Sequence, residues 1–415
     1  MVEAHDKKRV IVIGGGAAGM FAAIHAARAG ADVTLLEKNG KLGKKIYITG
    51  KGRCNLTNHS SREQLQAAVS GRQGRFLYSA FSQWDADDTI RFFEEAGLRL
   101  KEERGRRMFP VSDHASDVTK TLEREMHRLA VDIRLNTEVI DVRKDLSVIT
   151  GEETLRADSV VIATGGLSYP STGSTGDGYR FSQNTGHTVN ALSPSLVPMN
   201  AEEAWVRELQ GLTLKNVGIR FSSKDKVVYR EKVGELLFTH FGISGPAVLT
   251  ASSRLTGILY PSGHVEVQID LKPALSGQEL DKRLIRELEG HHRQDFINAV
   301  RDLFPKKLIP VIVALSGIDP EKKADQITSS ERKSFVHLIK HLTLHVTGLR
   351  GWDEAVITHG GVDTKQIDPK TMESKLTAGL FFAGEILDAD ALTGGYNLQI
   401  AWSTGYVAGT AAAAI

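Results

Sequence analysis

Apolar residues follow three different periods along the chain. Val10–Ile13 is a continuous β-branched run, the pattern of a strand buried on both faces of a parallel sheet. A small-residue helical stretch follows, then a second apolar run, Asp32–Leu36. Val160–Thr164 and Gly379–Glu385 (GLFFAGE) repeat the buried-strand pattern much later. Residues 76–130 carry leucine and phenylalanine at helical spacing, interrupted by Glu102–Pro110, and Asp132–Val142 is strand-like. From about Ser193 the pattern alternates: Val217–Phe221, Val227–Arg230 and Val265–Leu271 predict a small antiparallel barrel. Helical spacing returns in Glu279–Leu288, Asp295–Leu303 and Ser330–Leu342, and Leu342–Val346 is a strand able to close the barrel. The expected architecture is an α/β Rossmann domain in two segments, 1–192 and 350–415. Between them lie a β-barrel (193–275), a helical subdomain (276–341) and the barrel closure (342–349).

The first strand breaks into Gly14-x-Gly16-x-x-Gly19, and the second ends on Glu37, eighteen residues beyond Gly19. Gly14 permits a tight turn, Gly16 admits a diphosphate to the backbone, and Gly19 lets the helix pack closely. The N–H groups of Ala17 and Ala18, at the positive end of that helix, would face the anion. Glu37 would accept hydrogen bonds from an adenosine ribose. A dinucleotide is therefore expected.

The late strands decide which one. Ala163, Thr164 and Gly165 follow one strand, and Gly384 and Glu385 follow another. Gly395, Tyr396, Asn397 and Leu398 then open a last helix. A nicotinamide domain has no need of a strand and glycine turn some 350 residues after its fingerprint. An isoalloxazine does, because it lies far from its adenine and draws on a positive helix end. FAD is the expected cofactor. Lys38, Gly43 and Lys44 would flank its diphosphate, and Gly52, Arg53 and Cys54 would lie against its ring.

The segments IVIGGGAAGMFAA, KLGKKIYITGKGRCNLTN, VVIATGG, GELLFTHFGISGPAVL, ITHGGV and GLFFAGEILDADALTGGYNLQIAWSTGYVAG span the chain. They resemble the bacterial NAD(FAD)-utilising, aminoacetone-oxidase-like flavoproteins, a branch of the glutathione-reductase-type FAD superfamily. The resemblance implies an FAD domain interrupted by a barrel and a helical region, and Val139 as part of the segment touching adenine. It also implies an oxidoreductase that reduces a polarised C=C bond by hydride from flavin, with NAD(P)H as transient reductant. The substrate would be a small, steroid-like enone, or uracil in ribosomal RNA converted to dihydrouridine. A flavin-binding RNA or assembly factor with little turnover is the alternative.

One cysteine, Cys54, excludes an intrachain disulfide, a Cys-ligated zinc site and the dithiol relay of flavin disulfide reductases. It is left with packing, proton donation or a redox-sensitive role; Lys51 and Arg53 would favour its thiolate if they point toward it. His240 and His359, in glycine-bearing turns, are the other proton-donor candidates, or else make structural hydrogen bonds. Asp388 and Asp390 would bind the ribityl chain or position the next turn. His337, His341 and His345 have a metal-like spacing without a carboxylate or cysteine pattern, and read as surface or capping residues; no metal is expected.

Six cations in Lys38–Arg53 and three in Arg104–Arg107 would clamp diphosphate, track RNA or stay solvated; net charge is only +2. The dense turn residues of Ser168–Gly178 predict a mobile or ligand-facing loop whose glycines open no helix. No apolar run approaches membrane-spanning length, and MVEAHDKKR leaves no room for a signal peptide before the first strand. A cytoplasmic protein is expected.

Overall fold

The computed structural model describes residues 7–69, 71, 73–261 and 263–414. It divides into two compact units, one of residues up to Pro194 with Trp352 onward, the other Ser195–Gly351. Most of the segment read against a signal peptide lies outside the described residues.

The first unit is built on a five-stranded sheet of β1 (Arg9–Ile13), β2 (Asp32–Leu36), β3 (Asp132–Arg134), β4 (Ser159–Ile162) and β5 (Leu380–Phe382). Its order is β5-β4-β1-β2-β3, and every pairing is parallel. β1 and β4 are central and flanked on both sides, which is why they read as unbroken apolar runs. Helix α1 (Ala17–Arg28) follows β1, and helix α2 (Tyr396–Ala414) ends the chain. The two pack backbone against backbone. A Cβ on Gly405 would stand 2.6 Å from the Ala18 carbonyl, and one on Gly409 would collide with that of Ala22. His25 of α1 is enclosed by Phe21, Trp84, Phe92 and Tyr406, and burial drives its pKa down to about 3.

Two expectations are corrected here. Asp132–Val142 is two strands, because Asn136 turns the chain with a φ of 54° and Val139–Val142 joins a separate antiparallel sheet. Gly176 does open a helix, Asp177–Asn184, which buries Tyr179 and Phe181. Turn-forming residues in Ser168–Gly178 masked that start. The loop is also tethered, since Lys38 donates to Asp177 at 2.6 Å and Tyr169 N–H donates to the Trp352 carbonyl at 2.9 Å.

The second unit contains a closed six-stranded barrel. Around it run Met199–Ala201, Gly242–Ser244, Lys226–Phe238, Thr213–Ser223, Val265–Asp270 and Leu342–Leu349. Alternate residues such as Ile219, Phe221, Val267, Ile269, Leu344 and Val346 fill its interior. A helix, Pro246–Leu259, interrupts the stretch read as barrel alone, and another, Ile309–Ser316, adds to the helical segment.

Two glycines of opposite environment test the packing. Gly409→Ala should destabilise by about 1–3 kcal/mol through overpacking against α1. Gly257→Ala, in an exposed helical position where a Cβ meets nothing, should stabilise by roughly 0.5–1 kcal/mol. Denaturant unfolding measures both, and equal signs would refute the assignment.

Candidate functional site

Two of the three fingerprint glycines are required by a contact within the protein. Gly14 has a φ of 105°, and a Cβ there would lie 2.6 Å from the Ala163 carbonyl. Its N–H donates to Leu36 at 2.8 Å, tying the ends of β1 and β2 together. A Cβ on Gly19 would collide with the Gly14 carbonyl. Gly16, by contrast, faces open space, with nothing within 4 Å of an added Cβ. That opening lies at the first turn of α1, where the N–H groups of Ala17 and Ala18 have no intrahelical partner. It is the cradle a diphosphate needs.

Glu37 is buried beside it. One carboxylate oxygen accepts from Gly15 N–H at 2.7 Å, the other from Asn39 N–H and Nδ2 at 2.8 and 2.6 Å. The oxygen bound by Gly15 N–H has accepted one hydrogen bond and retains lone-pair capacity for a ribose hydroxyl. Thr137 N–H donates to the Glu37 carbonyl at 3.0 Å, so the chain leading to Val139 runs beside the acid. An open cradle, a free helix end and a buried acid fit the ADP half of FAD.

The loop after Glu37 holds its cations in local pairs. Lys38 takes Asp177 at 2.6 Å, and Lys45 takes Glu385 at 2.6 Å. Lys44 donates to Asn39 at 2.8 Å, and Lys41 sits over the Tyr47 ring. Arg53 pairs with Glu103 at 2.8 Å and Asp113 at 3.3 Å while covering Phe109. Lys38, Lys44 and Arg53 are therefore engaged with protein groups rather than reaching for diphosphate or an RNA backbone. Gly43 and Gly52 both have positive φ values, and Gly43 N–H donates to the Gly15 carbonyl at 2.8 Å.

Arg53's pairing also overturns the thiolate reading of Cys54. Its guanidinium is committed to two carboxylates, and Cys54 is enclosed. Burial pushes the thiol up to about 12, against a smaller lowering by Thr49. It is a neutral, packed group.

At the carboxyl ends of β4 and β5 a polar cluster forms that sequence spacing did not reveal. Glu385 accepts from Lys45, from Ser168 Oγ at 2.6 Å and from Thr358 N–H at 2.9 Å. Thr358 Oγ1 in turn accepts from the N–H groups of Leu167 and Ser168. Thr164 Oγ1 and Tyr179 OH are buried here without a partner among the described residues. His359 follows Thr358, and its Nδ1 lies 2.7 Å from Asp390, whose side chain is 1% exposed. Hydrogen bonding to Asp390 raises the imidazole pKa above its usual value, burial opposing. Asp388 accepts from Asn190 at 2.8 Å, so the two aspartates hold protein partners.

Gly384 and Gly395 both have positive φ, and a Cβ on Gly395 would stand 2.5 Å from the Thr57 backbone. The open N–H groups of α2 begin at Tyr396. The Asn397 side chain is directed elsewhere, since it exchanges hydrogen bonds with Ala391 N–H and C=O at 2.8 and 2.9 Å. Its own N–H and that of Leu398 lie in the first turn. His240 belongs to the second unit, where it is exposed beside Phe241. His337 and His341 stack on one another, and His345 pairs with Glu203 at 2.7 Å.

The chain is similar to several known proteins along nearly its whole length. The family described as HI0933-like protein Rossmann domain matches residues 8–411. The 3-dehydro-bile acid delta(4,6)-reductase of Clostridium scindens is 34% identical, over 98% of this chain and 99% of its own. The ribosomal RNA dihydrouridine synthase of Escherichia coli is 32% identical, over 95% and 96%. Among solved structures, a 3-ketosteroid-delta4-(5alpha)-dehydrogenase from Rhodococcus jostii RHA1 superposes with a TM-score of 0.52. At 16% identity, covering 100% of this chain and 98% of that one, it speaks for the fold alone. The chain belongs to the HI0933-like Rossmann family and is an FAD-dependent oxidoreductase.

Proposed function

We propose that the protein reduces a polarised C=C bond of a small conjugated enone, with NAD(P)H as reductant. The observation that carries this reading is the His359–Asp390 pair at the carboxyl ends of the parallel strands, where ligands of open α/β sheets bind. Bound FAD, once reduced, supplies hydride to the electron-poor carbon. The neighbouring carbon then needs a proton. His359 offers one from Nε2, because Asp390 holds Nδ1 and keeps the imidazole charged at higher pH than an ordinary histidine. Cys54 makes a poor donor, being enclosed with a thiol near 12. The name of the Clostridium scindens relative, a double-bond reductase, supports the enone class.

A second substrate, uracil within ribosomal RNA, is favoured by relatives named for dihydrouridine synthesis. Reducing its 5,6 bond makes the same demand for hydride and a proton, on a base taken out of its stack. Carboxylates pair Lys38, Lys45 and Arg53, three of the six cations of that loop, which reduces the charge it offers a phosphate backbone; the small enone is preferred. Deleting the gene and measuring ribosomal RNA nucleosides by mass spectrometry separates the two. Unchanged dihydrouridine, with turnover of 4-en-3-one substrates by the purified protein, is the expected result.

Gly16→Val should yield protein that does not retain FAD, since the branched side chain fills the cradle; a yellow variant would refute the diphosphate position. Glu37→Ala should weaken FAD by roughly 1.5–3 kcal/mol, the worth of a charged hydrogen bond. FMN, which lacks the adenosine ribose, should bind as before. Calorimetric titration of the apoprotein compares them.

His359→Gln should slow substrate reduction about 10²–10⁴-fold while reduction of the flavin by NAD(P)H stays near normal in stopped flow. Cys54→Ala should change neither half-reaction more than a few-fold. The protonated imidazole is the active form, so kcat/KM should fall as pH rises through the raised pKa. Asp390→Asn removes the main cause of that elevation and should move the falling limb to lower pH. The pair's stabilisation follows the same sign: full below about pH 6.5, and lost as pH rises through the raised value. An unmoved limb in Asp390→Asn would remove His359 from the role.

A further inference from the structure

The second unit holds a cavity of about 300 Å³, where Thr213–Ser223 begins and Val265–Asp270 ends. Leu214, Val217 and Leu271 line it from the barrel, and Leu303, Phe304 and Leu308 from the helical segment. All six are buried, and the surface the cavity exposes is divided about evenly between polar and apolar atoms. Two cations share the lining, Lys215 and Lys272.

Lys272 is anchored at its backbone. Its N–H donates to Asp270 Oδ1 at 3.0 Å, and its carbonyl accepts from Lys340 Nζ at 3.0 Å. Asp270, two residues away, is already paired with Lys340 at 2.6 Å. The Lys272 side chain forms no ion pair with an acid among the described residues, and its Nζ stands 5.9 Å from the Phe304 ring centroid. Burial, and next the charge of Arg283, hold it below the usual lysine range. An ammonium without an acidic ion-pair partner among the described residues therefore sits at a cavity of mixed polar and apolar lining, of a size that small ligands occupy.

The geometry points to a binding site for a small amphipathic carboxylate, its apolar body against the leucines and its carboxylate on Lys272. A neutral ligand would leave the ammonium unpaired, and a cationic one would be repelled. A charge-assisted hydrogen bond to a partly buried ammonium is the stronger kind. One fixed cation, with exposed Lys215 as its neighbour, suits a monocarboxylate better than a polyanion.

Calorimetric titration of the full-length, FAD-loaded protein with octanoate tests this, with octan-1-ol as the neutral comparison. Octanoate should bind saturably at one site, and octanol at least tenfold more weakly. Lys272→Met keeps the apolar stem and removes the charge; it should weaken octanoate at least tenfold and leave octanol unchanged. Leu303→Trp should fill the cavity and abolish binding of both, with the flavin spectrum reporting that the first unit is intact. Absence of saturable octanoate binding, or equal octanoate affinity in Lys272→Met and the parent, would overturn the proposal.

Discussion

The structure of the first unit depends on one constraint, the close approach of the α1 backbone to its surroundings. Glycine is required on both sides of it. Gly19 admits the Gly14 carbonyl, while Gly405 and Gly409 admit the carbonyls of Ala18 and Ala22. Because 405 meets 18 and 409 meets 22, the helices run parallel. Ala17 is then level with Thr404, and α2 begins eight residues further out, at Tyr396. At 1.5 Å per residue its positive end projects ~12 Å beyond that of α1. One packing contact thus sets two like-oriented helix ends at a fixed offset, suited to an elongated cofactor with an anionic diphosphate and a flavin that becomes anionic when reduced.

Charge within this frame is largely settled by the protein itself. Lys38, Lys45 and Arg53 each have a carboxylate partner. These pairs contribute less as energy than as order, since partly exposed ion pairs are worth little. Lys38 ties the loop after β2 to the segment after β4, Lys45 ties it to the end of β5, and Arg53 ties it to Glu103. The acids with remaining capacity matter more. Glu37 keeps free lone pairs beside the open face of Gly16, and Asp390 has one buried oxygen without a partner among the described residues. A buried carboxylate oxygen left in that state is costly, and a charged His359 next to it offsets part of that cost.

How far the sequence could be read follows from the range of each interaction. The fingerprint was legible because its glycines answer to local contacts: Gly14 and Gly19 touch one another, and Glu37 reaches Gly15. The barrel was legible in its alternation, where Ile219, Phe221, Val267 and Ile269 point to one core. The helix Pro246–Leu259 was hidden because its one glycine and its hydroxyl residues dilute the stripe of Ala247, Val248, Ala251, Leu255 and Leu259 on its buried face. The helix opened by Gly176 was obscured in the same way by turn-forming neighbours. No local signal announces that Lys45 will meet Glu385, 340 residues on, or that Arg53 will turn to Glu103 and away from Cys54. For site residues whose role depends on such partners, Cys54 above all, the sequence leaves packing, proton donation and a redox role open, and the partners decide for packing.

That contrast bears on how a proton donor can be built here. A thiol and an imidazole were both available from the sequence, and burial acts on them in opposite senses. Enclosure raises the Cys54 thiol and locks its proton on, far from the range in which general acids exchange protons near neutrality. Enclosure alone would also strip the proton from an imidazole, as it does for His25, whose pKa falls to about 3 with no acid in reach. His359 differs from His25 by one neighbour. Asp390 reverses the effect of burial, so the two histidines of one unit lie on opposite sides of their ordinary value. A half-exposed imidazole with a buried carboxylate behind it keeps its proton to higher pH than an ordinary histidine and still has a face from which to give it away.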